Sequence, residues 1–184
     1  MPFDVDSARE THVALDDLIG PDAPEQMRAF VRYWDGLRGS NLLPAYRAVD
    51  PLDIPWALSR IYIVEARDGD FVYRLAGEDV ADRYNQSLKG KRIRDLFSDR
   101  SAARILERWQ RVIEAPAGYY SYTQHISIHQ SVVTARRVLL PLGADGQTAD
   151  HLMGFTVFDE TTSGQDPFSN GLITKDIRWC DLRR

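Results

Sequence analysis

One run, Tyr73–Phe97 (YRLAGEDVADRYNQSLKGKRIRDLF), constrains the chain more than any other stretch. A strand ends in Leu75-Ala76-Gly77, a short amphipathic helix follows over Glu78–Tyr84, the chain turns at Gly90, and an Ile93-x-x-Leu96-Phe97 anchor closes the run. It carries no catalytic signature. What it organises is a small α+β pocket, and the elements on either side have to be compatible with that.

Upstream, Glu25–Arg38 places Met27, Phe30, Val31, Trp34 and Leu37 at helical spacing, with Asp22 as the expected cap, Pro24 in the first turn and Gly39 at the end. Pro44, Pro51 and Pro55 break the next stretch into an irregular connection. Ile61–Ala66 and Phe71–Ala76 read as two strands joined through Arg67-Asp68-Gly69-Asp70, a hairpin signal. Downstream, Ser101–Glu114 sets Ala102, Ile105, Leu106, Trp109, Val112 and Ile113 on one helical face, and Ala115-Pro116-Ala117-Gly118 stops it. The last third reads as β: Tyr119–Ile128, Val132–Leu142 and His151–Asp159, with turns at Gln130-Ser131 and Gly143–Asp150. The expected organisation is an extension over 1–21, an amphipathic helix over 22–41, a domain over 42–160 and a tail over 161–184.

Two strands, a helical crossover and three more strands is the order of a five-stranded PAS sheet. Tyr33-Trp34-Asp35, Leu43-Pro44, Asp50-Pro51-Leu52-Asp53-Ile54-Pro55, Tyr73-Arg74-Leu75-Ala76-Gly77, Leu88-Lys89-Gly90 and Leu140-Pro141-Leu142…Asp145-Gly146…Gly154 follow in order over roughly residues 25–160. In these pieces the chain resembles the bacterial single-domain PAS family known mostly from alphaproteobacteria, with its Trp-bearing N-terminal helix. It departs from that family at Tyr84-Asn85, where Tyr-Gly is common; Asn tolerates the left-handed turn better than most residues. The resemblance implies an α+β fold, with a five-stranded antiparallel sheet, helices on one face and an N-terminal amphipathic helix. It also implies a non-enzymatic sensory module that binds a small molecule or a partner and regulates a signalling protein in trans.

Strand alternation sorts the candidate pocket. Phe71, Tyr73 and Leu75 are expected on one face, Tyr120, Tyr122, Gln124, Ile126 and Ile128 on another, and Val133, Ala135, Arg137 and Leu139 opposite Val132, Thr134, Arg136, Val138 and Leu140. Tyr73, Leu75, Tyr84, Trp109, Ile113, Tyr122, Gln124, Arg137 and Phe155 are the pocket candidates, polar groups set among apolar walls; a core filled by the same side chains is the alternative. The N-terminal helix either packs on its own sheet or forms a dimer seam. A homodimer is expected, with Met27, Phe30, Val31, Trp34 and Leu37 as interface candidates.

Other chemistry is sparse. His125 and His129 have a metal-like helical spacing but lie in a strand pattern, where four residues separate them by about 13 Å, too far for one ion. His12 and His151 have no carboxylate or Cys partner at motif spacing. The resemblance argues against haem, since the Ser101–Glu114 helix has no His, and against a cysteine-adduct flavin, since Asp79–Leu88 has no Cys; the residues name no other cofactor. Gly90-Lys91 fails the phosphate-loop pattern at Asn85 and Arg92. Lys89, Lys91, Arg92 and Arg94 read as a solvated face around Leu88, Ile93 and Leu96.

Charge and composition set the outer bounds. The 184 residues, 43% hydrophobic and 27% charged, suit one domain with extensions, and a formal charge of −4 argues against bulk nucleic-acid binding. Cys180 is the only cysteine, so no internal disulfide is expected. With no apolar run near the ~18 residues that span a membrane and no signal peptide, a cytoplasmic location is expected. Two rival readings remain. One is a small isomerase- or cyclase-like enzyme on a cone-shaped α+β fold, with Tyr122 and a carboxylate as its groups, which a strand order split by helices disfavours. The other is a structural interaction module with a closed core.

Overall fold

The computed structural model describes residues 10–126, 132–161 and 173–183. These form strands β1 (Glu10–His12), β2 (Ile61–Arg67), β3 (Asp70–Ala76), β4 (Ala117–Ile126), β5 (Val132–Leu142), β6 (His151–Thr161) and β7 (Ile173–Asp181), with helices α1 (Glu25–Arg38), α2 (Glu78–Asp82), α3 (Ile93–Leu96) and α4 (Asp99–Glu114). Ile128, His129 and the Gln130-Ser131 turn lie outside the described residues.

All seven strands join one sheet in the order β1-β7-β4-β5-β6-β2-β3. The expected five strands are its antiparallel centre and edge, β4-β5-β6-β2-β3. The segments expected as extension and tail supply two more: β7 pairs antiparallel with β4, and β1 parallel with β7. A bulge between Tyr122 and Thr123 in the β4–β7 ladder and a mixed polar composition hide β7 from a simple alternation count.

The Asp-Gly turn between β2 and β3 forms as expected. Asp68 and Gly69 both take positive φ, 52° and 71°, which suits a type I′ hairpin. The outer edge of β3 is covered by the chain after α2: the Tyr73 amide donates to the Lys91 carbonyl at 3.0 Å, and the Gly90 amide to the Tyr73 carbonyl at 2.8 Å. That pairs the middle of an edge strand that would otherwise be open. Asn85, the departure from the family pattern, takes φ 50° and so makes the left-handed turn that a glycine would make.

Apolar side chains cover both faces. On one face α1 docks Met27, Phe30, Val31 and Trp34 against Ile61, Ile63, Val138, Leu140, Met153 and Phe155. The Trp34 indole N–H donates to the Pro141 carbonyl at 2.9 Å, and the Phe30 and Phe155 rings stack at 5.2 Å. The helix therefore packs on its own sheet, and Met27, Phe30 and Trp34 are fully buried there rather than free for a dimer seam; Leu37 is half-buried. Asp22 makes no capping bond; Pro24 occupies the cap position, and the Arg28 guanidinium gathers the carbonyls of Gly20, Pro21 and Ala23 instead. On the opposite, helical face, α4 buries Ala102, Leu106 and Val112 over Tyr62, Val64, Phe71, Tyr73, Tyr119, Leu139, Ile177 and Trp179.

The proline-rich connection is held at both ends. Asp50 Oδ1 accepts from the Leu52 amide at 2.9 Å, and the Asp50 amide donates to the Tyr33 hydroxyl at 3.1 Å. Leu43 donates its amide to the Gly146 carbonyl, and Gly143 donates to the Pro44 carbonyl. The Leu-Pro and Asp-Gly pieces, about a hundred residues apart in sequence, are thus one joint that closes the β5–β6 loop onto the lead-in segment. No helix of the described residues is long and apolar enough to cross a membrane.

Candidate functional site

The helical face carries the polar groups. Tyr62 on β2 pairs with Gly154 on β6, and the phenol ring lies where a Gly154 Cβ would be. The Tyr62 hydroxyl lies beside Thr156, one of the few buried polar side chains. Trp109 descends from α4, stacks on Tyr62 at 5.9 Å, and meets Phe71 and Tyr73 edge-on at 5.4 and 6.5 Å. Such aromatic pairs contribute about 0.5–1.5 kcal/mol each beyond burial. Tyr84, just after α2, meets Phe97 edge-on at 5.6 Å.

Arg137 on β5 joins them. Its guanidinium donates to Thr123 Oγ1 at 2.9 Å and lies 5.7 Å from the Phe158 ring centre. Burial pushes the phenols of Tyr62, Tyr73 and Tyr84 up from the ordinary tyrosine range, and the Arg137 charge opposes that shift at all three. The three hydroxyls therefore stay protonated near neutral pH. Beside them opens a cleft of about 370 Å³ lined by Arg60, Asp79, Asp82, Arg83 and Phe158. Asp79 accepts from Ser59 at 3.0 Å and pairs with Arg60 at 3.2 Å, and Arg83 lies 4.5 Å from the Phe158 ring centre.

The nine pocket candidates do not all meet. Tyr73, Tyr84, Trp109 and Arg137 lie on the helical face, and Ile113 touches both apolar clusters. Leu75, Tyr122 and Phe155 belong to the α1 face, and alternation along β4 puts Gln124 there as well. Leu75 changes sides because a bulge between Ile63 and Val64 shifts the β2–β3 register, so Tyr73 and Leu75 do not share a face. Phe155 stacks on Phe30, and the Arg136 guanidinium covers the Tyr122 ring at 4.3 Å. Tyr62, Thr123, Thr156 and Phe158 were missed from sequence. The parity of β6 is the signal that finds three of these: with Phe155 facing α1, Gly154, Thr156 and Phe158 must face α4, and Tyr62 lies opposite Gly154.

The remaining reactive groups lie elsewhere. No metal-holding group of His, Cys, Asp and Glu occurs among the described residues. His151 does have a carboxylate neighbour, Asp150 Oδ1 at 2.7 Å, and its ring stacks on Tyr46 at 4.4 Å. Cys180 sits in the α1-face core with its thiol pushed up by burial, beside an open cleft of about 440 Å³ at the β1–β7 end. Of the basic cluster, Arg92 pairs with Asp68 at 3.5 Å and Arg94 with Asp70 at 3.6 Å, around buried Leu88 and Ile93.

Helices α2–α4 lie across a β3-β2-β6-β5-β4 sheet, with a cluster of aromatic and polar side chains between. The family model described as PAS domain matches residues 23–157. The chain belongs to the PAS domain family. The match takes in α1, so the Trp-bearing helix lies within the PAS region, while β1 and β7 lie outside it. No curated protein matches the chain. PAS domains are sensory and signalling modules, typically without enzymatic activity.

Gly154 provides a test of the niche. Gly154→Ala forces the Tyr62 ring off Thr156 and against Trp109 and is expected to cost about 1–3 kcal/mol. On a Tyr62→Ala background the same change should be nearly neutral. Urea unfolding of the four proteins measures the coupling; strictly additive losses would mean that Tyr62 does not occupy the space above Gly154.

Proposed function

We propose that this PAS domain holds a small molecule between α2–α4 and the sheet and transmits its presence to a separate signalling protein. The gathering of Tyr62, Tyr73 and Tyr84 with half-buried Arg137 on one aromatic-walled face, beside the Phe158 cleft, carries this reading. A few polar groups in an apolar niche recognise a small ligand better than they stabilise a core. The chain over 77–98 consists of two short helices and turns around Tyr84 and Phe97. A ligand that contacts Tyr84 in one arrangement of this segment and not in another shifts the balance between them, which is what a switch requires.

Native mass spectrometry and an absorption spectrum of freshly purified protein test retention of a ligand, and a thermal-shift metabolite screen tests binding. A compound at 100 times its Kd stabilises by about 2.7 kcal/mol, or about 5–10 °C in Tm for a chain of this size. No retained mass together with no stabilising compound would overturn the proposal in favour of a closed interaction module.

A further inference from the structure

The arginines of this fold are mostly matched to carboxylates: Arg60 to Asp79, Arg111 to Glu10, Arg136 to Asp159, Arg178 to Asp176. Arg136 and Arg137 are neighbours on β5, yet only Arg136 has such a partner. Among the described residues no carboxylate pairs with Arg137; its contacts are Thr123 and the Phe158 ring. It is half-buried, and the groups it contacts, a hydroxyl and an aromatic ring, are neutral rather than counter-charges. A cation withdrawn from water with no opposite charge is a costly arrangement in a folded protein unless something else supplies that charge.

The surroundings limit what that is. Thr123 donates its own proton to the Ala135 carbonyl, so the guanidinium, on the same face as the phenols of Tyr62, Tyr73 and Tyr84, is the group suited to the two oxygens of a carboxylate. The adjoining cleft has balanced charge, Arg60 and Arg83 against Asp79 and Asp82, so it offers no extra attraction to a highly charged anion. Its floor is Phe158, with Arg83 at 4.5 Å and Arg137 at 5.7 Å from the ring centre. We propose that Arg137 is the anion-recognising residue of the pocket and binds the carboxylate of a small organic acid that enters by the cleft beside Phe158. This deepens the ligand-binding reading given above and depends on it.

The test compares wild type, Arg137→Met and Arg137→Lys by thermal shift and isothermal titration calorimetry. The probes are acetate, butyrate, benzoate, phenylacetate and succinate as sodium salts, with benzamide, phenylacetamide, sodium chloride and sodium phosphate as controls. At least one carboxylate is expected to stabilise the wild type where its amide and the inorganic salts do not. Arg137→Met should weaken that binding at least tenfold, and Arg137→Lys should retain part of it. Without ligand, Arg137→Met should melt at or above the wild-type temperature, because it removes an uncompensated charge; a lower Tm would make Arg137 structural and overturn the proposal. Equal response of wild type and Arg137→Met to a carboxylate, or of acid and amide, would overturn it too. If only neutral compounds from the metabolite screen bind, and bind both proteins alike, the pocket stands and the carboxylate assignment falls. If nothing binds, both fall.

Discussion

Trp34→Ala should lower stability by about 3–5 kcal/mol, the range for removing a large buried aromatic, and Tm by roughly 6–20 °C. The indole is fully buried between α1 and the sheet, and its N–H spans the two layers to the Pro141 carbonyl at 2.9 Å. Truncation empties the space under the helix and removes that hydrogen bond together. Trp34→Phe separates the two contributions: it keeps most of the apolar contact and should lose markedly less in urea unfolding. The same proteins test the role of α1. Because Phe30 and Trp34 face their own sheet, sedimentation should give the same mass for wild type, Phe30→Ala and Trp34→Ala. If Trp34→Ala instead left stability within about 1 kcal/mol of wild type, below the range for a buried aromatic, and halved the mass, α1 would be a dimer seam and the docked helix would be wrong.

Gly77→Ala is the second large effect. A Cβ at this position would overlap the Leu58 carbonyl oxygen and the Ser59 carbonyl group, which are backbone atoms that cannot rotate away. The two segments are also tied together, the Gly77 amide to the Ile61 carbonyl at 2.8 Å, the Asp79 amide to the Ser59 carbonyl at 2.8 Å, and the Ser59 hydroxyl to Asp79 at 3.0 Å. Relief requires moving the start of α2 away from β2. The expected loss is at the top of the overpacking range, about 3 kcal/mol or more, with faster amide exchange at Asp79, Val80 and Ala81. A Tm within about 2 °C of wild type, less than one kcal/mol for a chain of this size, would show that the two segments do not approach this closely. Gly154→Ala should be milder, because the displaced group there is a side chain rather than a main chain.

Much of this architecture can be read from local signals. Asp68-Gly69 sets the β2–β3 hairpin because only certain residues accept two consecutive positive φ angles. The 3.6-residue spacing of Met27, Phe30, Val31 and Trp34 sets the body of α1, although Pro24 rather than Asp22 takes the cap position. Alternation along β5 separates Val138 and Leu140 from Leu139 correctly. The pocket was less legible. Assigning Leu75 and Phe155 to it required knowing the register of each strand, and one bulged residue in the β2–β3 ladder reverses every side chain beyond it.

By itself, then, the sequence determined the order and type of the elements from α1 to β6, most turns between them and the family, because turn chemistry and hydrophobic period act over a few residues. Only the tertiary structure decided which face each side chain joins, that α1 spends its apolar stripe on its own sheet, that β1 and β7 widen that sheet, and that Arg136 pairs with a carboxylate while Arg137 meets only a hydroxyl and an aromatic ring. Those outcomes depend on strand register and on contacts between residues as far apart as Trp34 and Pro141, and no local pattern encodes such distances.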